Sequence, residues 1–188
     1  MKRFLILFFL YIFLFISPTY ADDYRYDTTQ EYIFARYMKD KESVMDERNV
    51  MRLTCVIDNT TKQIIEYRLV IAYNSADRVT INKGTKIVFT LFNNKSVTLY
   101  SSNDITENDN IKYKEQIKQR YKCYIIYPIS MEDMNLLLKE KVFDFKQYIF
   151  EGKFEHYGVR NMGHWLFNEV LQKCFDDLGR NYQYQPKK

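Results

Sequence analysis

A chain of 188 residues with 28 lysines and arginines against 24 aspartates and glutamates carries a formal charge of only +4, too little to select nucleic acid or another anionic polymer by bulk attraction. It is long enough for one domain with its own core, and its three cysteines need not hold the fold together. Among its five glycines none falls in a phosphate-binding loop, a nucleophile elbow or a dinucleotide fingerprint, so the common nucleotide and hydrolase classes lack their motifs.

Lys2 and Arg3 precede an unbroken apolar run, residues 4–16, and then Pro18, Thr19, Tyr20 and Ala21. That order is the signature of a secretory signal peptide, residues 1–21. Thirteen apolar residues as helix would reach about 20 Å, short of a hydrocarbon core of about 30 Å, so a cleaved leader is expected rather than an anchor. The residue after the cut, Asp22, is not a lipid-attachment cysteine. Taking 21 residues from 188 leaves 167, and losing Lys2 and Arg3 leaves 26 basic against 24 acidic residues. The expectation is an exported protein, periplasmic or extracellular, with no membrane span and no strong charge.

Residues 22–49 are polar and tyrosine-rich, and Thr28 with Glu31 has the spacing of a capping box, which predicts a short helix over residues 29–39 and a charged loop after it. One α+β globular domain is expected over residues 50–188. Residues 51–57 alternate as a strand, 58–62 make a turn, and 63–73 alternate longest of all, which marks them as the central strand of an antiparallel sheet. Shorter runs at 79–81, 87–92 and 96–100 continue a meander, with Gly84 and Asn94 in the turns. Residues 101–119 read as a polar surface excursion, residues 121–127 as a further strand, and Pro128 as its stop. Ser130 caps a helix carrying Met131, Met134, Leu137 and Leu138. Phe143, Phe145 and Ile149 alternate again, and Glu151 with Gly152 makes a two-residue hairpin turn. In the last element Phe167, Val170, Leu171, Cys174 and Leu178 share one helical face, with Gly179 as the expected cap. The fold class is α+β: a meander-rich antiparallel sheet with a C-terminal helix laid on it and one or two short helices.

Cys55 and Cys123 lie on the apolar phases of their strands and are the candidate disulfide, against the weightier alternative that all three cysteines, Cys174 included, are small buried hydrophobes. His164 and Cys174 on one helix would be about 15 Å apart, too far for a nucleophile and its base, which leaves only His156 as a partner. No histidine or cysteine spacing suits a metal, and residues 104–110 lack the glycine and glutamate of a calcium loop. Neither a metal nor another cofactor is expected. Glu132 and Asp133 suit a helix N-terminus, whereas Asp176 and Asp177 sit where the helix dipole is unfavourable.

Trp165, beside His164 and near Tyr157, is the candidate partner-binding aromatic, against a core role. Lys112, Lys114, Lys118, Arg120 and Lys122, interleaved with tyrosines, are a candidate contact for an anionic surface, against the commoner solvated face. Asn59 and Asn94 match glycosylation acceptors. These readings favour a non-catalytic exported domain that binds a protein or envelope partner through a sheet edge or the Trp165 region. The alternative is a small-ligand binder or enzyme whose pocket holds tyrosines, His156 and acids.

Overall fold

The computed structural model describes residues 23–38, 46–115, 118–150, 153–158 and 163–181. The leader expected at 1–21 and the turn expected at Glu151 and Gly152 lie outside them. Among the described residues ten strands form two antiparallel sheets. The first contains β1 (Tyr24–Thr28), β2 (Tyr32–Met38), β3 (Asp46–Asp58), β4 (Ile64–Ser75), β7 (Ile111–Glu115) and β8 (Lys118–Ile129), in the order β1-β3-β4-β8-β7 with β2 also on β3. The second runs β10 (Lys153–Gly158), β9 (Val142–Phe150), β5 (Lys86–Leu91), β6 (Ser96–Tyr100). The described residues also form two helices, α1 (Met131–Lys139) and α2 (Gly163–Asn181), and a 3-10 turn at Glu107–Asp109.

The longest alternating run is indeed the middle strand. Tyr67, Leu69, Ile71 and Tyr73 of β4 are buried between β3 and β8. Ile65, on the same phase, is 55% exposed, because the last β4–β8 pair is Tyr67 with Ile129 and the β3–β4 register shifts between Val56 and Ile57. The turn before β4 is closed by Asp58, whose Oδ1 accepts the Thr60 and Thr61 amides at 2.7 Å each. Asn94 and Gly84 adopt the positive φ their turns require, 61° and 88°, and Lys62 shares it at 58°.

Four expectations are corrected. Residues 32–38 form strand β2, not a helix. Thr28 pairs with Thr54 through their hydroxyls at 2.9 Å, and Thr29 exchanges backbone and side-chain bonds with Leu53, so the long edge of β3 takes up this segment. The excursion at 101–119 contains β7 and buries Ser101, Ile105 and Asn110. Asn110 is anchored there: its amide donates to the Val79 and Thr106 carbonyls and its oxygen accepts the Val79 amide. Gly179 does not cap α2, which continues to Asn181. Finally, the hairpin β5–β6 belongs to a second sheet and does not extend the first.

One core joins the sheets and the helix. Leu53, Ile71 and Ile125 of the first sheet face Ile87, Phe89 and Phe145 of the second in a single buried cluster. On one side β6 approaches β8; on the other α2 fills the space between β9 and β3, burying the predicted Phe167, Val170, Leu171, Cys174 and Leu178. The Phe167 ring lies 5.1 Å from Phe89 and 6.4 Å from Phe145. Ser130 caps α1, its Oγ accepting the Asp133 amide at 3.0 Å. Among the described residues no helix is long and apolar enough to cross a membrane.

Candidate functional site

The five cations on β7 and β8 do not make one patch. The register sets Lys112 opposite Tyr121 and Lys114 opposite Gln119, but Tyr113 opposite Arg120, Glu115 opposite Lys118 and Ile111 opposite Lys122. Strand alternation therefore divides Lys112 and Lys114 from Arg120 and Lys122, and the side chain of Lys118 lies outside the described residues. Lys122 is engaged, 3.7 Å from Glu31 and over the Tyr113 and Tyr124 rings at 5.9 and 5.7 Å. The same outer face carries Arg52, which the sequence reading passed over. Its guanidinium reaches across β4 to lie 4.7 Å from the Tyr124 ring centre, and its Nε is buried with no hydrogen-bond partner among the described residues. Ala72, 1% exposed, is small enough to leave room for that stack. Burial, with the Tyr124 hydroxyl donating to Glu31, pushes the Tyr124 pKa up to about 12.

The cysteines are free and buried. Cys55 stands opposite Tyr67 on one side of β4 and Cys123 opposite Tyr73 on the other. Six residues of strand separate those positions, about 20 Å, so the bridge between Cys55 and Cys123 is not formed. Burial raises both thiols to about 11 and raises Cys174 as well, whose sulfur receives the Thr29 hydroxyl at 3.7 Å. Asp177 is accounted for by the Tyr32 hydroxyl, which donates to it, and Asp176 by the Gln172 amide at 2.8 Å. Tyr157 lies on β10 in register with Phe145, and His164 and Trp165 lie in the first turn of α2. The side chains of Tyr157, His164 and Trp165 are outside the described residues, as is that of His156. No cluster of histidine, cysteine, aspartate or glutamate among the described residues has the arrangement of a metal site.

A cleft of about 570 Å³ opens at the end of the sandwich where β6 parts from the end of β8, between the start of β4 and the start of α1. Its walls are apolar, built by Ile64, Tyr67, Leu99, Ile129 and Met131, and its charged lining residues, Glu66 and Asp133, are both acidic. Ile65 and Tyr100 stand on its rim, 55% and 59% exposed.

The wall formed by β6 is a free sheet edge. In the β5–β6 ladder the Leu91 amide donates to the Lys95 carbonyl and the Ser101 amide to the Thr85 carbonyl. Hydrogen-bonded pairs alternate in an antiparallel ladder, so Val97 and Leu99 direct their backbone groups at β5, and Thr98 and Tyr100 direct theirs away from it. Among the described residues no strand pairs with that side of β6. The sequence of β6, Ser-Val-Thr-Leu-Tyr, also lacks the charge or proline that usually blunts an edge. The other outer strands, β1, β2, β7 and β10, each contain at least one charged residue. This edge was one of several apolar-polar runs in the sequence; only its position at the margin of the second sheet sets it apart.

No protein-family model, curated protein or solved structure matches this chain.

Proposed function

We propose that the chain is an exported, non-catalytic binding module that holds a segment of a protein partner in the cleft beside β6. The observation that carries this reading is the apolar cleft of about 570 Å³ with Ile65 and Tyr100 exposed at its mouth and an uncharged sheet edge along one wall. Large aromatic and aliphatic side chains around a concave apolar surface are what protein partners use as anchors. Export rests on the order of charge, apolar run and small residues in 1–21.

A photo-crosslinking amino acid placed at Tyr100 or Ile65 of the full-length chain in its own host tests this. Discrete protein adducts from those two positions, and none from Phe143, are expected. Adducts of equal yield at Phe143, or none at any position, would reject it. A second reading, a small-molecule site in the same cleft, is favoured by its volume, which falls in the range of about 300–1,000 Å³ typical of ligand pockets. A thermal shift with one compound class, abolished by a bulky residue at Leu99 and accompanied by no protein adduct, would favour that reading instead. The pocket involving His156 would be favoured if His156→Ala abolished the shift.

A further inference from the structure

We infer that the cleft takes its partner by strand addition: an extended, cationic polypeptide segment pairs with the free edge of β6. The inference rests on the reading of the cleft as the partner's site and names the chemistry it recognises. Thr98 and Tyr100 each turn one N–H and one C=O out of the sheet, and none of these groups has a partner among the described residues. They are spaced by two residues of strand, about 6.8 Å, the repeat that another extended backbone presents. A globular surface or a small ligand does not match such a row, whereas a strand matches all of it.

The walls give the segment its side-chain rule. Along an added strand, side chains alternate as they do on β6, where Thr98 and Tyr100 are exposed and Leu99 is buried. The residue opposite Leu99 therefore enters the cleft against Tyr67, Ile129 and Met131, and an apolar side chain suits it. The lining supplies Glu66 and Asp133 and no lysine or arginine. Glu66 is paired with Arg68 on the face of β4 opposite Tyr67, so the acid of the rim is Asp133, which accepts the Ser130 hydroxyl at 2.8 Å. Lysine or arginine next to the inserted apolar residue complements it. The bound segment thus alternates apolar and basic residues.

The test uses the purified full-length chain and a fluorescent peptide of about ten residues alternating valine and lysine, long enough to span a typical strand. Thr98→Pro removes one outward N–H and leaves the β5–β6 ladder intact, since that amide does not point at β5. It is expected to weaken binding by about tenfold or more, with Thr98→Val close to the parent chain. Two further peptides, methylated on the valine amides or on the lysine amides, examine the same contact without altering the protein. An added strand turns only one of those two sets toward β6. Loss of binding with one set alone is expected, the lysine set for antiparallel and the valine set for parallel addition.

A peptide alternating valine and glutamate is expected to bind at least about tenfold more weakly, a difference that shrinks with added salt. Equal binding to Thr98→Pro when that variant is folded, or equal effects of the two methylated peptides, would overturn strand addition, as would no binding of any peptide. Equal binding of the glutamate peptide would overturn the cationic preference. In each case adducts from Tyr100 would still leave the cleft as a partner site.

Discussion

At the scale of single residues, burial governs the chemistry of the thiols. Cys55 and Cys123 are 0% and 1% exposed, and the loss of hydration around a thiolate raises both to about 11 from an ordinary 9.0. They remain protonated at neutral pH and out of reach, the opposite of what a nucleophile or redox sensor needs. Iodoacetamide at pH 8 is expected to leave Cys55, Cys123 and Cys174 unmodified in the folded chain and to alkylate all three in guanidinium; rapid modification of the native protein would contradict this burial. The same shifts set an alkaline limit. An unfolded thiol ionises near 9.0 and the folded ones near 11, so the stability they carry is intact below pH 9 and is lost as the pH rises from 9 to 11. Tyr124, moved from 10.0 to about 12, adds a loss between pH 10 and 12. Denaturant melts from pH 8 to 12 would show it, and a flat profile would refute it.

Between elements, Asn110 and Asn168 make connections that no periodicity announces. Asn168 of α2 donates to the Leu137 and Glu140 carbonyls at the end of α1, at 2.6 and 2.8 Å, and accepts the Val142 amide at the start of β9 at 3.0 Å. It satisfies carbonyls that the last turn of a helix otherwise leaves without a partner. Asn168→Asp keeps the acceptor and the shape but removes both donors and sets a carboxylate against two carbonyls. A loss of about 1–3 kcal/mol is expected in urea titration, and an unchanged midpoint would show that the three bonds carry no net stability. In the sequence this asparagine was one polar residue on a helix whose apolar face was plain. The caps and turns were easier to read, because Ser130 and Asn94 act on residues within a few positions of themselves.

Across the whole molecule, one apolar cluster joins both sheets to α2. Phe167 sits at that junction with Phe89 and Phe145, fully buried. Phe167→Ala is expected to cost about 3–5 kcal/mol, the usual penalty for emptying a buried aromatic site. Because the cluster is shared, loss should appear as an earlier but still single unfolding transition by both near- and far-ultraviolet circular dichroism. Two separated transitions would mean that the sheets have independent cores.

Period-two alternation and helix capping determined strands β3–β6 and β8–β10, the central place of β4, the N-cap of α1 and the buried stripe of α2, since each depends on residues close along the chain. The capping spacing of Thr28 and Glu31 pointed to a helix over residues 29–39, although Tyr32 and Ile33 suit a strand as well, and the open edge of β3 settled it as strand. It also left undecided which hairpin joined which sheet. Only tertiary structure placed β5 and β6 opposite the first sheet, laid Arg52 over Tyr124 across β4, and left the β6 edge beside an apolar cleft. Pairing within a hairpin is fixed by its turn and alternation, whereas the packing of one sheet on another is decided by contacts between residues far apart in the chain, which alternation does not encode.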